Sequence, residues 1–284
     1  MPNMMDYLTW RGDLTLRQAS WNLVDSLLMA SLSYNHFQGV VSDAQGKSLR
    51  ECAPLLGLEN MTGGQYFQQW RALLFAMAES ERFGDMRLHD YVNEVDEERI
   101  IQFSALTAEM EDGSTFVAFR GTDNTLVGWR EDFHMSFETP VPAQVEALAY
   151  LCRQAERTER PLRVAGHSKG GNLAAYAAAH LPPEIQRRIL SVCSFDGPGL
   201  DEDTMNSPGY ERIRPVLHSV LPQSSIVGLL MHYHPDYLVV RSTAVSFLQH
   251  DAFTWQVRGT GFEELRQVDA AIAVSLGLHP ETMV

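Results

Sequence analysis

Around residue 168 the chain reads Val164-Ala165-Gly166-His167-Ser168-Lys169-Gly170-Gly171-Asn172-Leu173, with a short apolar run before it and an alanine-rich stretch after it. A serine with glycine two residues to either side, between a strand and a helix, is the pattern of a nucleophile elbow. The sharp turn forces strained backbone angles on the serine and exposes its hydroxyl, so its neighbours have to be small. Gly171, Ala174 and Ala175 let the following helix lie close to the sheet. That helix aims its N-terminal N–H groups and dipole at the hydroxyl, where developing negative charge is stabilised. Ser168 is the expected nucleophile. The competing reading is a glycine-rich turn that only packs tightly.

A serine nucleophile needs donors for the oxyanion, a base for its proton and a carboxylate to orient the base. One oxyanion donor is the backbone N–H after the nucleophile, here Lys169; the other comes from the loop after an earlier strand. Phe119-Arg120-Gly121-Thr122-Asp123, followed by Trp129 and Asp132-Phe133, ends such a strand and nominates Thr122. Otherwise it is a turn whose arginine makes a salt bridge. In chain order the acid and then the histidine follow the serine. Of the histidines downstream, His180 closes the nucleophile helix and is too remote. His250 is the favoured base, on a late loop before Asp251-Ala252-Phe253-Thr254-Trp255, and His234 is its rival. Asp196, in Ser194-Phe195-Asp196-Gly197-Pro198-Gly199, ends the next strand and is the favoured acid. Asp236 is the alternative, and an Asx-turn is the other role for an Asp-Gly pair.

These residues need elements to hold them. Apolar spacing predicts helices over 18–35 and 64–83, the second with Phe67, Trp70, Leu74 and Met77 on one face. From Leu88 the pattern changes. Strands are expected over 99–110 and 115–120 about Asp112-Gly113, then over 162–165, 189–195, 216–221 and 237–242. Helices opened by Pro142 and spanning 172–180 alternate with them. The predicted fold class is α/β, a mostly parallel sheet with helices on both faces. Residues 1–284 are expected to form one domain, with 1–87 a mainly helical N-terminal extension and 88–284 the catalytic core.

Composition narrows the partners. With 36 acidic residues against 22 Lys and Arg, the net charge is −14. That disfavours nucleic acid, which needs clustered cations, and charge-driven attachment to anionic lipid. No apolar run reaches the ~18 residues of a membrane span. Three scattered cysteines and an N-terminus without a signal-peptide pattern point to a cytoplasmic protein. No metal is expected: His232-Tyr233-His234 has ligand-like spacing but no accompanying cluster. Gly46-Lys47-Ser48 resembles the end of a P-loop, but Val41 stands where its first glycine belongs. Ile226–Met231 reads as a core helix, or as the lining of an acyl pocket or lid. Oligomeric state is not legible.

The blocks FRGTDNTLVGWREDF and GHSKGGNLA resemble the RGT and GHSxGG motifs of the class 3 lipase branch of the α/β-hydrolases. With lysine after the serine, and with SFDGPG, LPQSSIVG and QHDAFTW, the chain is also similar to a bacterial group of uncharacterised α/β-hydrolases. The resemblance spans roughly residues 88 to 260. It implies Ser168 as nucleophile, Thr122 and Lys169 as oxyanion residues, His250 as base, no cofactor, and an acyl-ester or lipid-like substrate. A thioesterase or amidase with the same triad, or a non-catalytic binding protein of this fold, are the other readings. Class 3 lipases usually carry their acid in an Asp-x-Val-Pro element after the next strand. Here Leu221-Pro222-Gln223-Ser224-Ser225-Ile226 has no carboxylate, which returns the acid to Asp196. Lys169 is a second departure: its cation either favours an anionic acyl group or points to solvent.

Overall fold

The computed structural model describes residues 1–41, 44–56, 65–122, 139–231 and 234–269. The two strands expected around Asp112-Gly113 form β3 (Ile101–Glu109) and β4 (Thr115–Phe119), paired antiparallel. Before them run β1 (Lys47–Ser48) and β2 (Arg87–Asp96). Sequence pattern missed β2, whose apolar alternation is interrupted by Asp90, Asn93, Glu94 and Asp96. It also carries a bulge between His89 and Val92, with Asp90 at φ +53°.

After β4 the strands become parallel: β5 (Leu162–His167), β6 (Ile189–Phe195), β7 (Leu217–Pro222) and β8 (Tyr237–Val240). A small hairpin, β9 (Val257–Arg258) and β10 (Gly261–Phe262), precedes β11 (Glu264–Leu265), which closes the far edge antiparallel to β8. Among the described residues the sheet has nine strands in the order β1-β2-β3-β4-β5-β6-β7-β8-β11. It is a mixed α/β sheet with its parallel strands together.

Because β4 to β7 add side by side in sequence order, right-handed crossovers deliver their helices to one face of the sheet. Those helices follow four from the N-terminal part: α1 (Met4–Arg11), α2 (Leu23–Leu32), α3 (Leu49–Cys52) and α4 (Gln65–Glu79). The crossover helices are α5 (Pro142–Glu156), α6 (Lys169–His180), α7 (Pro183–Gln186), α8 (Glu202–Met205) and α9 (Pro208–Ile213). Val117, Phe119, Val164 and Val192 point into this layer and meet Tyr150, Leu151, Leu173 and Ala177. Their neighbours Phe116, Ala118, Ala165 and Cys193 point the other way, as period-two alternation requires. That second face is covered by α1, α2 and α4 through Tyr7, Val24, Leu27, Leu28, Leu73 and Met77.

The N-terminal helices are therefore one of the two layers that bury the sheet. Their junction is fixed by a buried ion pair. Arg82 donates from Nε to Asp25 Oδ1 at 2.7 Å and from Nη2 to Oδ2 at 2.6 Å. It also holds the carbonyls of Leu14, Ala19 and Ser20. Tyr7 adds its hydroxyl to Asp25 at 2.8 Å, and the Asp25 carboxylate also caps α2 by accepting from Asn22 N.

Candidate active site

Ser168 sits between β5 and α6 at φ +59°, ψ −134°, a conformation that costs a non-glycine residue about 1–3 kcal/mol. The turn is held at both ends. Ser168 N donates to Phe195 O at 2.9 Å, and Gly171 N donates to Ser168 O at 2.8 Å. The flanking glycines are required by contact: a Cβ on Gly166 would lie 2.1 Å from the Gly170 backbone. One on Gly170 would lie 2.2 Å from Phe119 O, so strand β4, the turn and helix α6 touch through bare backbone.

Phe119 leads directly into the RGT block. Arg120 is buried, its N donating to Ser104 O at 3.0 Å and its Nη2 to Asn93 Oδ1 at 2.9 Å. Gly121 packs against the elbow, a Cβ there falling 3.0 Å from Ser168 Cβ. Thr122 follows at the same edge, half-buried. Asp123, Trp129, Asp132 and Phe133 lie outside the described residues.

Lys169 corrects an expectation. Its side chain does not face solvent: it is 2% exposed, with Nζ donating to Gln102 O at 2.8 Å and to Gln102 Oε1 at 2.7 Å on β3. The backbone of this residue starts α6 beside the serine while the ammonium ties the turn to β3, two strands away from β5 in the sheet.

Asp196 ends β6 and is 1% exposed, at φ +48°, with its N donating to Val220 O at 2.8 Å. Its Oδ2 accepts from His250 Nδ1 at 2.6 Å. Its Oδ1 accepts from Gly228 N at 3.2 Å and from the Ser225 hydroxyl in a short contact. So the segment without a carboxylate, Leu221–Ile226, places a serine hydroxyl donor on the carboxylate one strand back. Sequence reading missed Ser225 and Gly228; the signal was present in Ser225 standing where an acid was expected. The core-helix reading of Ile226–Met231 is also corrected, since the segment forms a single 3-10 turn over Val227–Leu229, with Ile226 and Leu230 exposed.

His250 ends a 3-10 turn, Ser246–His250. Before it, Gln249 is pinned by Trp255 Nε1 donating to its carbonyl at 2.7 Å and by its own side chain on Ser224. The His250 carbonyl accepts from His167 Nε2 at 2.7 Å, and the two rings lie 4.7 Å apart, centre to centre. His167 is pushed down from 6.5 to about 3 by burial, with the neighbouring His250 adding to the effect. The ring is therefore neutral over the ordinary pH range. Since a carbonyl only accepts, Nε2 carries the proton and Nδ1 accepts from the Tyr34 hydroxyl at 3.1 Å.

The rival residues lie elsewhere. His234 is buried with Nδ1 2.7 Å from the Tyr210 hydroxyl, and burial lowers its pKa. Asp236 is exposed and faces Arg214 at 3.5 Å. His180 turns back onto Tyr176. His232 lies outside the described residues. Among the described residues no group of three or more His, Cys, Asp or Glu side chains is placed to hold a metal.

The model of the Mbeg1-like family matches residues 77–276. The chain belongs to the Mbeg1-like family. A comparison of this Mbeg1-like chain with curated proteins finds no match. Among solved structures, a fungal lipase superposes with TM-score 0.51 over 91% of each chain at 13% identity. The Rhizomucor miehei lipase in its propeptide complex gives TM-score 0.47 at 13% identity, over 85% of this chain and 81% of that one. The Mbeg1-like chain has the α/β-hydrolase fold of the fungal lipase on which it superposes. It is lipase-like at the level of fold. Among its described residues, no helix is long and apolar enough to cross a membrane.

Proposed function

We propose that this protein is a serine hydrolase that cleaves carboxylic or acyl esters through an acyl-enzyme. The observation that carries the reading is the Asp196–His250 pair. It is a buried carboxylate 2.6 Å from an imidazole Nδ1, at the same end of the parallel strands as a serine in a strained strand-to-helix turn.

With Nδ1–H committed to Asp196, a neutral His250 carries its lone pair on Nε2 and serves as the base. It takes the Ser168 proton as Oγ attacks the ester carbonyl. The π electrons move to the carbonyl oxygen, which rests on the N–H groups of Thr122 and Lys169. Asp196 stabilises the imidazolium. His250 then returns the proton to the leaving alkoxide as the C–O bond breaks, and water, deprotonated by the same histidine, releases the acid. The chemistry needs no cofactor. The acidic surface and the scattered cysteines support a soluble substrate met in the cytoplasm, an acyl ester or a lipid-like molecule.

A fluorophosphonate probe should label the wild-type protein and leave Ser168→Ala unlabelled; equal labelling of both refutes the assignment. A panel of p-nitrophenyl esters, acyl-CoA thioesters and amides separates an esterase from a thioesterase or amidase. A non-catalytic protein of this fold would label in neither form.

A further inference from the structure

His167, Tyr34 and Trp70 are not used by the proposed chemistry, although His167 touches His250 and the other two lead to it. Tyr34 lies just beyond α2 and Trp70 in α4, both in the N-terminal layer, and their rings stack at 4.3 Å with planes 18° apart. The Tyr34 hydroxyl meets His167 Nδ1 at 3.1 Å and lies 2.3 Å from where a Gly121 Cβ would be, beside the elbow. On the other side of the His167 ring, Nε2 reaches the His250 carbonyl at 2.7 Å, and Trp255 meets the ring edge-on at 6.1 Å.

The turn carrying His250 is thus fixed from two directions. Trp255 Nε1 holds the carbonyl of Gln249, and His167 Nε2 holds the carbonyl of His250 itself. The second contact links the base to the residue next to the nucleophile, which no element of the turn could do alone. It works in only one tautomer. A ring with its proton on Nδ1 would set the Nε2 lone pair against the carbonyl oxygen, and the contact would become repulsive. The acceptor-only His250 carbonyl selects the Nε2–H tautomer, and the Tyr34 hydroxyl, 3.1 Å from Nδ1, holds the opposite side of the ring.

We propose that His167 is a positioning residue that sets the distance between base and nucleophile by holding the His250 main chain through Nε2–H. Tyr34, carried by the N-terminal layer, bonds the opposite ring nitrogen and so holds the ring in the orientation that aims this N–H. The inference rests on His250 being the base. The unit it defines runs from Trp70 through Tyr34 and His167 to His250, so the N-terminal layer supports the site as well as the sheet. A misplacement of about 1 Å in a reacting group costs up to about 100-fold in rate, which sets the size of the effect.

The test uses the full chain and four proteins: wild type, His167→Leu, His167→Gln and Tyr34→Phe. Gln places an amide N–H where His Nε2–H stands, whereas Leu cannot donate. With a p-nitrophenyl ester, His167→Leu should lower kcat about 10- to 100-fold with KM within about twofold. His167→Gln should recover to within about threefold of wild type, and Tyr34→Phe should fall between. In parallel, histidine-ring nitrogen–proton NMR should show His167 in the Nε2–H form. The His250 Nδ1–H resonance should move or broaden in His167→Leu and be retained in His167→Gln.

Equal activity of Leu and Gln variants, or an unmoved His250 resonance in the Leu variant, overturns the proposal. If the wild type fails to react with fluorophosphonate while the His250 resonance still moves in His167→Leu, the hydrolase reading fails and the positioning contact stands.

Discussion

Ser225→Ala removes a hydroxyl that donates to the Asp196 carboxylate, at a site where donor and acceptor are each 1% exposed. Asp196 Oδ1 is then left with Gly228 N at 3.2 Å, and Oδ2 keeps His250 at 2.6 Å. Water cannot easily replace the lost donor in so closed a site. A hydrogen bond to a charged group contributes about 1.5–3 kcal/mol, so stability should fall by that amount. The Ser225 hydroxyl also accepts from Gly228 N at 3.0 Å, so the same change loosens the second donor. Asp196 touches the base and not the substrate. KM should therefore hold while kcat drops about tenfold, equivalent to ~1.4 kcal/mol of transition-state stabilisation. Steady-state kinetics on a p-nitrophenyl ester and urea unfolding measure the two quantities. Ser225→Thr keeps the hydroxyl and should restore both. An alanine variant with wild-type kcat but reduced stability would refute the argument, reducing Ser225 to a turn-forming residue.

Ser225→Asp should be worse than alanine, because two carboxylates then share one buried site; the loss of stability should be larger at pH 7 than at pH 4, as read by urea midpoints. Arg82→Ala leaves the Asp25 carboxylate buried without its cation and should cost about 3–5 kcal/mol in thermal or urea unfolding. Gly170→Ala drives a methyl into Phe119 O, and fluorophosphonate labelling of Ser168 should be lost with or before the fold. Because His167 titrates near 3 when folded and 6.5 when unfolded, its neutral form stabilises the protein fully above about pH 6.5. That contribution is lost as pH falls through the window down to about 3; unfolding free energy measured across it should flatten in His167→Gln.

How much of this was legible follows from local physics. The elbow could be read because backbone-to-backbone contact at Gly166 and Gly170 demands glycine in sequence. Pro142 marked the start of α5 because proline suits a first helical position. Asp196 was placed by its position at a strand end before Gly197. What stayed hidden depends on partners distant in the chain. Nothing local to Ser225 says that its hydroxyl meets a residue 29 positions back. Lys169 is an ordinary surface residue by type, and a partner to its buried ammonium, Gln102, lies 67 positions back. Strand β2 was masked by its bulge and polar residues, which face neighbours that the sequence pattern does not reveal.

The placement of the N-terminal helices has a consequence for synthesis. Nine of the ten residues of α2 are buried, yet the surface that buries them is made later. Tyr34 meets a partner 133 residues further on, and Asn3 donates to Phe253 O, 250 residues away. At about 5–20 residues per second, the first of those intervals takes roughly 7–27 seconds on the ribosome. Through it, an apolar helix waits for strands β5 and β6 to emerge. The nascent chain therefore carries an exposed hydrophobic face early and for long, which marks its first 80 or so residues as the stretch that chaperones must hold.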